Sequence, residues 1–316
     1  MELAVATPSG GNRTYLGVAC GVGAGALWGL VFLAPELARE FTPLQLAIGR
    51  YLAYGLLSVA LIAPRWRVLT RMLTRREWLA LGWLSLTGNT LYYILLSAAV
   101  QTGGIAMTSL IIGFLPVAVT IIGSRDSGAV PLRLLAPSLL LCAAGAMCIG
   151  WQALAAPAAG TAQLTGLLCA IGALASWTAF AVGNSRCLAR LTSVSTQDWN
   201  LLTGLVTGAQ AVALIPLTLL TERLDHGTVA WLQLAGVSIG VALLASILGN
   251  ALWNRMSRLL PLTMVGQMIL FETLFALIYG FLWEQRLPLP LEMAAFGLVV
   301  ASVLSCIAAH RRHATH

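Results

Sequence analysis

The chain contains no lysine. All 18 of its basic residues are arginine, they stand against 11 acidic residues, and charged residues make up 9% of the 316 positions while 59% are hydrophobic. So little charge cannot cover the surface of a water-soluble protein of this length, which excludes a large soluble domain. Catalytic and metal-site signals are equally scarce. The four histidines are His226 in a loop and His310, His313 and His316 in the tail, and there is no HExxH, no GxSxG and no aspartate within an apolar run, so membrane proteases and hydrolases lack their working groups. The six cysteines (Cys20, Cys142, Cys148, Cys169, Cys187 and Cys306) form no CxxC pair and read as small apolar packing residues, with neither a disulfide framework nor a metal site. No G-x-x-x-x-G-K-[ST] loop is present, so nucleotide hydrolysis by this chain cannot power any process it carries out, and no cofactor is expected.

Long apolar runs are present instead. Ten stretches can be drawn, at about 15–35, 43–63, 77–100, 104–123, 133–151, 163–185, 197–220, 228–252, 261–283 and 288–309. Roughly 20 apolar residues in a helix cross the ~30 Å hydrocarbon core with every backbone amide satisfied internally. The expected fold class is an all-α integral membrane protein of ten transmembrane helices. Met1–Thr14 is short and polar and lacks the basic and apolar regions of a cleaved signal peptide, leaving the first span as the membrane-targeting element.

Arginine placement predicts orientation. Fourteen arginines fall on the side of Arg13, Arg65–Arg76, Arg125, Arg186, Arg255 and Arg311, and three (Arg39, Arg223 and Arg286) on the other. The positive-inside rule then puts both termini in the cytoplasm of a multi-pass inner-membrane protein. The low lysine and high alanine and arginine content points to a GC-rich bacterial genome. The +7 net charge is accounted for by topology, so no nucleic-acid partner is implied. Trp66, Leu69, Met72 and Leu73 recur at helical spacing in the basic connector, which suits either a plain positive-inside loop or a short helix on an anionic leaflet. Trp66, Trp78, Trp83, Trp231 and Trp283 lie near span ends and read as interface anchors.

The chain repeats itself weakly. Gly88-Asn89-Thr90-Leu91-Tyr92 in the third span matches Gly249-Asn250-Ala251-Leu252-Trp253 in the eighth, and Gly25-Ala26-Leu27-Trp28 in the first echoes Ala173–Trp177 in the sixth. Both fit a displacement of five spans. Five is odd, so a duplicated unit must insert with opposite orientation, giving inverted repeats of the kind that support alternating access. The uncharged stretch Gln152–Ala162 sits at the junction, and the repeats are expected at 1–152 and 153–316.

With the five-plus-five layout, the small-residue-Leu-Trp pattern at Gly25–Trp28, Arg50-Tyr51-Leu52 after Pro43, and Trp283-Glu284-Gln285-Arg286-Leu287 at a span end, the chain resembles the drug/metabolite transporter superfamily, specifically its EamA-type ten-helix exporters, over essentially its whole length. It departs from them in having Glu272 where the family often has proline, whereas Pro116 keeps the matching place in span four. The ending Gly123-Ser124-Arg125-Asp126 also lacks the usual glutamate. Within the superfamily it looks most like bacterial exporters of aromatic and other neutral amino acids. The resemblance implies a small-molecule cargo moved within the lipid bilayer, and it leaves the oligomeric state open.

Candidate cargo residues follow from cost and position. Ionisable groups at membrane depth cost roughly 2.5–3.5 kcal/mol on insertion scales, so Arg50 and Glu272 should face protein or water. Glu272, mid-span, suits proton coupling or an ammonium group, or else a structural bond to Arg50 or a neighbouring helix. Arg50 suits a carboxylate through its bidentate fork, or helix anchoring. Asn89, Tyr92, Tyr93 and Leu96 share one helix face, and Asn250, Trp253 and Asn254 repeat part of it. These residues, with Trp28 and Trp177, either line a midplane cavity or pack between helices. The function expected is export of amino acids. An exporter of lipophilic cations, an importer of the same fold, and a non-transporting scaffold or receptor are the alternatives.

Overall fold

The structure is a computed structural model that describes residues 10–126, 129–155, 160–285 and 287–314. Its helices are α1 (Gly10–Gly29), α2 (Ala34–Leu37), α3 (Pro43–Ile62), α4 (Trp66–Met72), α5 (Arg75–Ser85), α6 (Leu91–Ile112), α7 (Leu115–Gly123), α8 (Leu132–Ala155), α9 (Gly160–Arg190), α10 (Thr196–Thr221), α11 (Thr228–Val241), α12 (Asn250–Leu259), α13 (Leu262–Met268), α14 (Leu270–Glu284) and α15 (Pro290–Ala314). Residues 1–9 of the expected uncleaved leader, residues 156–159 of the expected repeat junction, and Arg286 of the span-end motif lie outside the described residues.

Polarity is inverted relative to a soluble protein. Leu220 is 85% exposed and Leu56 71%, while Asn200, Gln267 and Ser302 are wholly buried. An outer face of leucines around a core that carries amides and hydroxyls suits hydrocarbon as the solvent. Eight helical stretches among the described residues are long and apolar enough to cross a membrane, and Leu132–Gly145 is a shorter apolar helix. The protein is an all-α membrane protein.

The fourth expected span departs from a simple helix. Its start is set by a turn at Gly104, whose φ of 82° lies in a region that favours glycine. It then runs as residues 105–112, turns at Gly113 and Phe114, and continues as α7. The ninth span is interrupted in a milder way at Ile269, between α13 and α14. The basic connector does form a short helix, α4, which buries Leu69 and leaves Trp66 and Met72 39% exposed.

Helix starts follow local chemistry. Thr42 caps α3 in a reciprocal box with Gln45, with Pro43 at the first position where a missing N–H costs nothing. Ser195 caps α10 by accepting from the Asp198 amide at 3.0 Å. The two helices so capped, α3 and α10, pack closely against each other, and they cross at Gly55 and Gly208. A methyl placed on either glycine would stand 2.7 Å from the other's Cα. Thr42 and Ser195, Gln45 and Asp198, and Gly55 and Gly208 all recur at one spacing along the chain. Both ends of the crossing are tied. On the arginine-poor side Gln45 Nε2 donates to the Arg223 carbonyl at 2.8 Å, and on the arginine-rich side Arg65 pairs with the buried Asp198 at 2.8 Å.

Other pairings surround this crossing: α6 with α9, α1 with α12 and α14, α7 with α13, and α8 with α15. On the arginine-poor side Phe41 is buried among aromatic rings. Its ring centroid lies 4.3 Å from that of His226 and 5.0 Å from that of Trp231, and Gln101 Nε2 donates to its carbonyl at 2.9 Å.

Candidate functional site

The two copies of the Gly-Asn motif sit in the same unusual backbone. Leu86–Thr90 and Ala242–Gly249 are π-helical segments, wider than α-helix, and each runs directly into the helix bearing the rest of the motif. Such segments occur as short bulges and collect at functional sites. Their glycines have a steric reason. A Cβ on Gly88 would lie 2.3 Å from the Phe180 ring, and one on Gly249 would lie 2.7 Å from Trp28 Nε1. Side chains of neighbouring helices donate to backbone carbonyls of both segments. Ser176 Oγ donates to the Thr87 carbonyl at 2.7 Å, Trp28 Nε1 to that of Ala245 at 3.0 Å, and Asn200 Nδ2 to that of Ile247 at 3.0 Å.

Between the two π segments lies a cavity lined by Trp28, Arg50, Asn89, Tyr92, Trp177, Asn250 and Glu272. Seven of the eleven residues singled out in the sequence therefore meet in one place, and Leu96 and Asn254 are buried outside its lining. Tyr93 and Trp253 stand behind the wall. The guanidinium of Arg50 lies 4.5 Å from the Tyr93 ring centre, and the Trp253 ring packs 4.9 Å from Trp28 and 5.1 Å from Trp177. Trp28 and Trp177 meet edge to face at 5.6 Å, which completes a three-tryptophan cluster.

The cavity also has walls that the sequence did not mark as cargo residues: Val31, Tyr51, Gly88 and Phe180. Phe180 is one helical turn from Trp177, and Tyr51 follows Arg50. Neither differs in type from residues that face lipid elsewhere, so composition alone carries no signal for them. Behind them, Tyr54, buried, has its hydroxyl 2.7 Å from both the carbonyl and the side-chain oxygen of Asn200.

The two charged residues line one cavity without bonding each other. No ion pair joins Arg50 to Glu272 among those of the described residues. Arg50 Nε donates to Ser246 Oγ at 3.2 Å, and its cationic face is covered by Tyr93 and Tyr51. Glu272 is 3% exposed, and its Oε2 has no hydrogen-bond partner, nor do the buried Tyr92 hydroxyl and Trp253 Nε1. Glu272 stands in the first turn of α14, where the amide end of the helix favours a carboxylate. Leaving several buried polar atoms unmatched costs a protein stability, and such atoms concentrate where a ligand supplies the missing bonds. The void they surround is about 20 Å³, room for roughly one water.

A helical bundle of this kind, polar within, apolar without, and built around broken and π-widened helices, is the architecture of a membrane transporter. Residues 15–151 match the EamA-like transporter family. Inner membrane protein YtfF of Escherichia coli (strain K12) is 32% identical over 306 residues, covering 90% of this chain and 93% of YtfF. One crystal structure superposes with a TM-score of 0.69 over 92% of this chain and 98% of its own, at 17% identity, a likeness of fold. The chain belongs to the EamA-like transporter family, within the drug/metabolite transporter superfamily, and is a membrane transporter and not an enzyme.

Proposed function

We propose that the protein exports amino acids, aromatic and other neutral ones, across a bacterial inner membrane by alternating access, with both termini in the cytoplasm. The observation that carries this reading is the pairing, in one aromatic-walled cavity, of a guanidinium with a carboxylate that do not bond each other. A zwitterion satisfies both at once: its carboxylate meets Arg50, its ammonium meets Glu272 Oε2, and its side chain packs among Trp28, Trp177 and Tyr92. Asn89 and Asn250 supply amides beside the zwitterionic end. Glu272, exchanging a proton when cargo leaves, would couple export to a proton gradient.

Two inverted five-helix repeats, 1–152 and 153–316, give the motion. Support comes from the matched π segments, the interruptions in the fourth and ninth spans, and the common spacing of caps and crossing glycines on α3 and α10. A void near 20 Å³ is far below the ~300–1,000 Å³ of ligand pockets, so cargo requires the helices to part.

A second reading, export of lipophilic cations, draws on the unpartnered Glu272 and the aromatic cluster, and has no use for Arg50. The test is efflux of labelled amino acids from proteoliposomes holding wild type or Glu272→Gln, with and without an imposed pH gradient. Saturable flux inhibited by aromatic amino acids is expected, with acceleration by the gradient in wild type alone. A loss of tenfold or more in Glu272→Gln corresponds to about 1.4 kcal/mol of differential binding. No flux of any amino acid, together with flux of a lipophilic cation, overturns the amino-acid reading in favour of the second.

A further inference from the structure

On the arginine-rich side a second cavity of about 550 Å³ opens between the ends of α9, α12 and α13. Its charged lining is Arg13, Arg186 and Arg258 against a single acid, Asp126. Arg186 Nη2 donates to Asp126 Oδ1 at 2.6 Å, and both side chains remain substantially exposed. Arg258 Nη2 donates to the carbonyls of Leu191 and Val194, which fixes its head at the rim, while its buried Nε has no partner. Deeper in, Ser257 is 6% exposed and its Oγ is likewise unpartnered. Net positive charge in a concave site of ligand size suits a receptor for an anionic oxygen group.

The same two helices line both cavities. Trp177 and Phe180 on α9 face the central one, and Asn250 on α12 does so as well, while Ser185, Arg186, Leu188, Ala189 and Ser257 face the outer one. Along α9 and α12 a buried, hydrogen-bonded group of side chains lies between the two sets. Asn184 Nδ2 donates to Asn254 Oδ1 at 2.9 Å, and Trp199 Nε1 donates to Asn184 Oδ1 at 2.9 Å. The rise from Phe180 to Ser185 on α9 is about 7.5 Å and that from Asn250 to Ser257 on α12 about 10.5 Å, so between one and two helical turns stand between the arginine-lined space and the central site.

We propose that this vestibule is a loading site for carboxylate-bearing solutes, closed off from the central cavity by the Asn184–Asn254 amide pair. It rests on the transporter reading above for its role in a path, but its ligand chemistry is independent of amino-acid flux. Arginine suits the task because it keeps its charge at any working pH and takes carboxylates bidentately. Vestibule charge would raise the local concentration of anionic groups ahead of the neutral amide barrier, and the barrier would part as the helices move.

Ala189 is exposed and lines the vestibule, so Ala189→Cys reports on it directly. In lipid-free detergent, its modification by an anionic and by a cationic methanethiosulfonate reagent is compared, with each rate scaled to a small free thiol and the unsubstituted protein setting the background. The expected result is a preference for the anionic reagent of about tenfold, the low end of electrostatic steering, weakened by salt. Arg186→Gln and Arg258→Gln should each reduce the preference, the first serving if the second disturbs folding. Added acetate should slow modification.

A preference for the cationic reagent, or none, overturns the proposal, as does indifference to acetate. Protection only in vesicles containing phosphatidylglycerol also overturns it, because the bound group is then a lipid headgroup. If anionic preference and acetate protection hold while no amino acid is transported, the cargo assignment fails and the vestibule stands. Amino-acid flux without anionic preference has the opposite meaning.

Discussion

Gly55→Ala tests whether the crossing of α3 and α10 holds the central site in shape. The added methyl would stand 2.7 Å from the Gly208 Cα, whereas carbon atoms rest at about 3.5–4.0 Å. Backbone on both sides offers no rotamer to yield, so the helices must separate by about 1 Å, at an overpacking cost of about 1–3 kcal/mol. That shift acts on the 2.7 Å contacts between Tyr54 and Asn200 and on Arg50, one helical turn before Tyr54 on α3. Gly236→Ala is the control. It lies in α11 with nothing within 4 Å of a new Cβ, and should gain up to about 1 kcal/mol of helix propensity. Unfolding in mixed micelles should therefore separate the two variants by about 1–4 kcal/mol, and Gly55→Ala should lose flux in proteoliposomes. Gly208→Ala should behave alike, and the double variant should depart from additivity because both methyls strain one contact. A Gly55→Ala protein as stable and active as Gly236→Ala would refute the close crossing.

Trp28→Phe keeps an aromatic ring but leaves the Ala245 carbonyl without the Trp28 donor. It should lower stability in the same unfolding assay by about 0.5–2 kcal/mol, the range for buried and intramembrane hydrogen bonds. Gly104→Ala meets no atom within 4 Å, so its cost is purely that of holding a side chain at φ 82°, about 1–3 kcal/mol. Unchanged stability there would mean that the turn between the third and fourth spans has another backbone.

Eight of the ten expected spans coincide with helical stretches long and apolar enough to cross a membrane among the described residues, and they were legible because hydrocarbon imposes a length on an apolar helix that few other settings require. The fourth was misjudged as a plain helix, although Gly103-Gly104 and Gly113 stand at its start and break, because a 20-residue window averages over both. Glu272 and Arg50 were legible because charge at membrane depth is costly. Asn89 and Asn250 were legible because the motif is written twice. The amide layer of Asn184 and Asn254 was half visible, through Asn254 in the repeated motif. Asn184, Trp199 and Asn200 have no echo elsewhere in the sequence, and only the packing of α9 and α10 against α12 shows them buried and bonded. Tyr51 and Phe180 look in sequence like any residue facing lipid.

The two π segments make the cavity a matter of register. A residue advances about 100° around an α-helix, so a π turn that tightens to α geometry by shedding its extra residue rotates everything beyond it by about that amount. Beyond Leu86–Thr90 stands Tyr92, and at the end of Ala242–Gly249 stands Asn250. A one-residue slip in either segment would sweep these side chains from the cavity wall to a neighbouring face of their helix with no change in any rotamer. The bonds from Ser176, Trp28 and Asn200 to carbonyls of the two segments act as detents, each holding a winding of the backbone in place by a single hydrogen atom.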